Sequence, residues 1–163
     1  MNSKFAHKSY LRTSETIDML VIAIASVIEW FDLVSWPIEL NLVLRIILGM
    51  SLLFIGVSLI IMSKRELSRL GQKAGPGCEI TNLVTTGIFT KSRNPIYLAN
   101  LVLYFSVSFF FNAFSFALFV PIGIFLFYFW LILPEEKYLS EKFPAEFHDY
   151  KLRVGRWWSF SIR

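Results

Sequence analysis

Three kinds of residue are scarce in this chain. Cysteine occurs once, at Cys78, which rules out an intrachain disulfide and a cysteine-built metal centre. Histidine occurs only at His7 and His148, too few for a histidine cluster, so no metal site is expected. Charged residues are 17% of the 163, where a soluble domain carries about a quarter. Several motifs are missing as well. There is no GxGxxG, Walker A loop, HExxH or GxSxG, which argues against a soluble nucleotide-binding fold. The formal charge of +4 is modest and unevenly spread, so it reads as topology rather than nucleic-acid binding.

What is present is apolar and comes in long blocks. Hydrophobic residues make up 55% of the chain, and the mean hydropathy is +0.56. These blocks predict an all-α integral membrane protein, a helical bundle forming one domain over residues 1–163. Four transmembrane helices are expected, at about 17–34, 40–62, 96–111 and 114–133. The third is short and needs help from its neighbours. Pro37 marks the first turn. Asn112 and Ala113 make a tight turn, so the third and fourth spans form an antiparallel hairpin. Lys4, Lys8 and Arg12 before the first apolar run imitate a signal peptide. Asp18, Glu29 and Asp32 within that run, and the lack of a small-residue cleavage site, favour a retained span.

Orientation follows from the basic residues. Lys4, Lys8 and Arg12 precede the first span. Lys64, Arg65, Arg69, Lys73, Lys91 and Arg93 lie between the second and third. Lys137, Lys142, Lys151, Arg153, Arg156 and Arg163 follow the fourth. Every Lys and Arg except Arg45 thus falls on one side, which places both termini in the cytosol. In the tail, Leu139, Phe143, Phe147, Tyr150 and Val154 recur at three- and four-residue steps. They predict an interfacial helix under the bundle, broken at Pro144. Trp157 and Trp158 suit the headgroup layer.

Four polar or small-residue groups stand out. Thr85, Thr86, Gly87, Ser92, Arg93, Asn94, Pro95 and Tyr97 lead into the third span. Pro95 suits a first helical turn, whose free N–H groups can hold a carboxylate, and Arg93 adds a fixed positive charge. An ordinary loop meeting lipid phosphate would look similar. Glu135 and Glu136 follow Pro134, where they can start a tail helix or bind a cationic group. Adjacent helical residues diverge by about 100°, so one of the two is expected to face a site. Asp18, Glu29 and Asp32 share nearly one helical face. An ion pair from Arg45 to Glu29 or Asp32 accounts for these without chemistry, and a proton path is the alternative. Gly49 and Gly56 share a face of the second span, as an internal seam or a homodimer contact.

Taken together, these pieces resemble the isoprenylcysteine carboxyl methyltransferases and phospholipid N-methyltransferases, a family of integral membrane methyltransferases. The resemblance runs from Leu83 to Val154. Its elements are Leu83-Val84-Thr85-Thr86-Gly87-Ile88-Phe89, then Arg93-Asn94-Pro95-Ile96-Tyr97-Leu98-Ala99. A helical hairpin, Glu135-Glu136 and the spaced tail aromatics with Arg153-Val154 follow. Three positions depart from the family pattern. Asn94 stands for His and Ala99 for Gly, and Leu131 replaces an Arg found in many members. Asn keeps a hydrogen bond but cannot titrate near neutral pH.

The resemblance implies S-adenosylmethionine as cofactor and a lipophilic acceptor: a prenylated thioether carboxylate, a phospholipid amine or another small hydrophobic molecule. It implies that Leu83, Val84, Thr85, Gly87, Asn94, Pro95, Tyr97, Ala99, Glu135 and Glu136 border the cofactor. Arg93, Asn94 and Arg153 would serve the reaction, with Arg153 or Arg156 orienting an anionic acceptor. The competing readings are a nicotinamide-dependent membrane reductase, a non-enzymatic accessory protein, and a transporter built on Glu29 and Asp32.

Overall fold

The computed structural model describes residues 13–72 and 80–159, and every regular element within them is helical. Lys4, His7, Lys8, Arg12, Lys73, Cys78 and Arg163 lie outside the described residues. Helix α1 (Ser14–Trp30) starts at Thr13, whose Oγ1 accepts the Thr16 N–H at 3.2 Å. Helix α2 (Leu42–Arg69) starts at Asn41, whose Oδ1 accepts the Leu44 N–H at 2.8 Å. Each cap satisfies a donor that the first helical turn leaves without a partner. After a 3₁₀ turn at Gly87–Thr90, helix α3 (Pro95–Phe111) begins on its proline. It ends at Asn112, whose φ of +57° is left-handed, a conformation Asn tolerates better than most residues. The Ser108 hydroxyl donates to the Ala113 carbonyl at 2.7 Å and ties the turn closed. The chain then reverses into helix α4 (Phe114–Leu126).

The fourth helix does not stop at the carboxylates. Phe127–Ile132 continue it in π geometry, and helix α5 (Leu133–Lys142) follows directly. The reason lies in Pro134, which lacks an N–H and whose ring crowds the carbonyl four residues back. A wider π turn takes up one extra residue and relieves that conflict. Glu135 and Glu136 therefore ride on an extension of the fourth helix, not on a separate tail helix. Phe143 leaves helical geometry at φ −131°, and helix α6 (Pro144–Arg153) starts at Pro144 as the sequence predicts.

Two stretches, Leu42–Arg69 and Phe114–Lys142, are long and apolar enough to cross a membrane. Their most apolar windows are only 22% and 33% buried, whereas an all-round apolar helix in a soluble protein lies in the core. Helices α1 and α3 have 17 residues each, or about 26 Å, a little less than the roughly 30 Å of a hydrocarbon core.

Neighbouring helices run antiparallel. Ser115 at the start of α4 donates its N–H to Glu29 near the end of α1 at 2.9 Å. A Cβ on Gly49 would come within 2.7 Å of Phe110, and one on Gly56 within 2.7 Å of Leu103. Both glycines therefore form an internal α2–α3 seam and are not left for a homodimer contact. The Ser106 hydroxyl adds a 2.8 Å hydrogen bond to the Gly49 carbonyl across it. Helix α3 sits centrally. One face packs with Ile17, Val21 and Ala25 of α1 and with Phe116, Phe119 and Val120 of α4. The other packs through Ala99 with Leu59 of α2, Ile88 and Phe89, and Phe147, Tyr150 and Val154 of the tail. The tail stripe thus buries itself against the protein's own basic end.

The expected Arg45 ion pair does not form. Among the described residues, Arg45 makes no salt bridge to Glu29 or Asp32, and its Nε is buried without a hydrogen-bond partner. Glu29 caps the N-terminus of α4 instead, where a carboxylate meets free N–H groups and the positive end of the helix dipole. Asp32 leaves the common face because α1 ends at Trp30, and Asp32 takes a φ of +48° in the exposed link.

Candidate active site

The basic end of the bundle gathers three segments: the run into α3, the start of α5, and the chain after α6. Backbone bonds hold the first to the last. The Arg93 N–H donates to the Gly155 carbonyl at 3.1 Å, and the Ser159 N–H donates to the Lys91 carbonyl at 2.7 Å. The Asn94 side-chain amide donates to the Arg156 carbonyl at 3.0 Å. Asn94 therefore positions the tail, a task its amide performs without titrating. Buried Ser92 accepts the Asn94 N–H at 3.1 Å and fixes the approach to Pro95. The Tyr150 hydroxyl donates to the Phe89 carbonyl at 2.6 Å, and burial pushes its phenol up.

Two carboxylates enter this arrangement from α5, each with its own partner. Glu135 accepts the Tyr97 hydroxyl at 2.8 Å. The Tyr97 ring stacks on Phe127 of the π turn, with centroids 5.4 Å apart. Glu136 takes both nitrogens of the Arg156 fork, Nε at 2.9 Å and Nη2 at 2.8 Å. Arg156 also lies over the Tyr128 ring, 4.9 Å from its centroid. Arg93 reaches the same carboxylate, with Nη1 3.1 Å from Glu136 Oε1. The sequence predicts one site-facing carboxylate. The structure brings both to this end, because one reaches toward α3 and the other toward the loop and tail.

Arg93 is the unusual member. Its side chain is only 10% exposed. Nε and Nη1 are buried and make no hydrogen bond, so Nη1 meets Glu136 as a charge contact without alignment. Burial pushes the guanidinium below its ordinary value, opposed by Glu136 and assisted by Arg156. Glu136 holds Arg156 in the charged form through its hydrogen bonds. One carboxylate thus serves two guanidinium groups, and Arg93 keeps donor capacity for a further anion.

The other expected residues are distributed less evenly. Gly87 takes a φ of +58°, and a Cβ there would meet Glu66 at 2.8 Å. Glu66 accepts the Thr86 hydroxyl and pairs with Arg69 at 2.7 Å, which fastens the loop to the end of α2. Leu83 and Val84 pack with the tail in the second core cluster, and Thr85 stands between them and this staple. Ala99 is fully buried against α2, two residues and so about 200° around α3 from Tyr97. Arg153 is exposed on α6, bonded only weakly to the Asp149 carbonyl of its own helix at 3.3 Å. Of the two tail arginines, Arg156 joins the cluster and Arg153 does not. Nothing in the periodicity could separate them, because Arg156 lies past the end of α6. In the sequence Glu66 carries a single signal, its three-residue spacing from Arg69.

A family model described as phospholipid methyltransferase matches residues 44–146, from the first turn of α2 into α6. No curated protein and no solved structure matches the chain.

Proposed function

This chain belongs to the phospholipid methyltransferase family, and from that premise we propose S-adenosylmethionine-dependent methyl transfer to a lipophilic acceptor at the cytosolic membrane face. The coarse activity, a membrane methyltransferase acting on lipid, comes with the family and the apolar helices. In our reading the chain is one domain, α1 to α4 all cross the bilayer, and both termini are cytosolic. The alternation of the helices and the basic residues at one end support that topology.

The carrying observation is the convergence of Arg93, Tyr97, Glu135, Glu136 and Arg156 at that end. The amino-acid end of S-adenosylmethionine carries a carboxylate and an ammonium, and these residues fit both. Unpartnered N–H groups of Arg93, with the first-turn N–H groups of α3, would hold the carboxylate. Glu135, oriented by the Tyr97 hydroxyl, would hold the ammonium. Thr85, Gly87 and Pro95 would border the adenosine, with Leu83 and Val84 packed behind. When bound, the cofactor supplies a methyl group on a cationic sulfonium.

The chain's own contribution is positioning and exclusion of water. Asn94 and the backbone pairs at Lys91 and Arg93 keep the tail over the site. Glu136 neutralises Arg156 and sets the position of Arg93. Asn94 offers no titratable base, so a carboxylate acceptor reacts as it stands, while an amine must arrive unprotonated or lose its proton elsewhere.

Calorimetry of purified protein in detergent with S-adenosylhomocysteine, and NADPH as the control, tests the reading. Saturable binding that is lost in Glu135→Gln is the expected result. Binding of NADPH instead would favour a reductase, and binding of neither by folded protein would favour an accessory role.

A further inference from the structure

A half-buried carboxylate lies outside both the cluster above and the region matched by the family. Asp18 of α1 faces α3, where Tyr104 donates its hydroxyl to Oδ1 and Asn100 donates its amide to Oδ2 at 2.8 Å. Tyr97, Asn100 and Tyr104 stand at steps of three and four, so they share one face of α3. A polar line therefore runs along this face from Glu135 through Tyr97 and Asn100 to Asp18 and Tyr104. Its length from Tyr97 to Tyr104 is about 10 Å, by the helical rise per residue. Ile17, Val21, Leu101 and Phe127 pack beside it and are all buried.

The two donors on Asp18 are neutral. Among the described residues no Lys or Arg lies within ion-pairing distance of it. Carboxylates at membrane depth are normally paired with a cation. The nearby Glu15 adds negative charge, acting on both Asp18 and Tyr97. Among the described residues the α1 side of the site is thus acidic, with no Lys or Arg paired to Asp18, while the loop side carries Arg93 and Arg156. We propose that Asp18 is a specificity-determining residue of the acceptor path: its carboxylate receives the amine of a lipid headgroup and disfavours acceptors whose reacting group is a carboxylate. Asn100 and Tyr104 hold that carboxylate in place by occupying one lone pair on each oxygen, leaving others for an ammonium. This inference rests on the methyl-transfer reading above and adds the acceptor side of the same site.

The test compares the full chain with its Asp18→Asn, Asp18→Glu and Tyr104→Phe variants in mixed micelles. One set of micelles contains a phospholipid with a primary amine headgroup, and the other a prenylated cysteine with a free carboxylate. S-adenosylhomocysteine affinity and melting temperature are measured alongside. Asp18→Asn is expected to raise KM for the amine lipid by about ten- to a hundredfold, the scale of losing a partly desolvated charge pair. Its kcat and S-adenosylhomocysteine affinity stay near wild type, and Asp18→Glu recovers most of the loss. Tyr104→Phe, which keeps the charge, shows the smaller effect. An unchanged KM in Asp18→Asn overturns the inference. So does a loss in Asp18→Asn that Tyr104→Phe reproduces together with an equal drop in melting temperature, since that marks a mere helix tether. Wild-type protein that methylates only the carboxylate lipid also overturns it, yet leaves methyl transfer standing. Failure of wild type to bind S-adenosylhomocysteine at all is instead the failure of the parent reading.

Discussion

The adjacent carboxylates on α5 should fail in different ways when neutralised. Glu136→Gln removes the one counter-charge that two guanidinium groups share among the described residues, at 3.1 Å from Arg93 and 2.8 Å from Arg156. At an effective dielectric near 20, each contact is worth roughly 5–6 kcal/mol before desolvation. Much of that offsets the cost of taking the charges out of water. Removing one partner of a buried pair costs about 3–5 kcal/mol overall. Arg93 is nine-tenths buried, but the Arg156 side chain is 31% exposed and can be rehydrated, so the low end, about 3 kcal/mol, applies. In a chain of this size that is a fall of roughly 6–12 °C in melting temperature. Glu135→Gln keeps an oxygen for the Tyr97 hydroxyl and should lower the melting temperature by less than Glu136→Gln does. It should nevertheless abolish S-adenosylhomocysteine binding. Thermal unfolding in detergent, followed by tryptophan fluorescence with parallel calorimetry, separates the two. If Glu136→Gln melts with wild type, the three-way ion pair does not hold the tail and Glu136 does not position Arg93 and Arg156.

Other perturbations probe separate parts of the structure. Arg156→Ala should reduce methyl transfer at least about tenfold, since it frees Glu136 and removes the stacked cation over Tyr128, while Arg153→Ala should stay within about twofold in the same assay. Gly56→Ala should cost about 1–3 kcal/mol, because its Cβ meets Leu103 across the seam, as read from denaturation in mixed micelles. Gly87→Ala should cost a comparable amount, about 1–2 kcal/mol for a left-handed alanine, and should loosen the Glu66 staple, which limited proteolysis after Arg69 would register.

Much of the bundle can be read from residue spacing because single-helix patterns are local. The tail stripe from Leu139 to Val154, the break at Pro144 and the turn at Asn112 each depend on neighbours within a turn or two. Gly49 and Gly56 likewise announce a close approach, although only the fold says that α3 fills it. Long-range partners are another matter. Glu29 has a place on a helical face, but its bond to Ser115 needs the hairpin to be folded. Arg45 lies at a plausible depth for an ion pair, yet depth alone does not fix azimuth. The choice of Arg156 over Arg153 depends on backbone bonds from Asn94 and Arg93 to an irregular segment, where periodicity says nothing. The site residues divide in the same way: Arg93, Tyr97 and the two carboxylates are marked by their chemistry and order, while Ala99 falls on the far side of α3.

The π turn at Phe127–Ile132 has a consequence for how this chain can vary. A helix of fixed length can absorb a conservative substitution, but one residue more or fewer rotates everything beyond it by about 100°. The π turn holds one residue more than an α-helix would over the same sweep, so it stores that residue without the rotation and keeps Glu135 aimed at Tyr97 and Glu136 at the arginines. Deleting one residue between Phe127 and Ile132 would let the segment wind as ordinary α-helix and leave both carboxylates close to their present direction. A length change that the π turn did not absorb would instead turn both away by about 100°. The π turn is thus the place in this long helix where a residue can be lost without re-aiming the site.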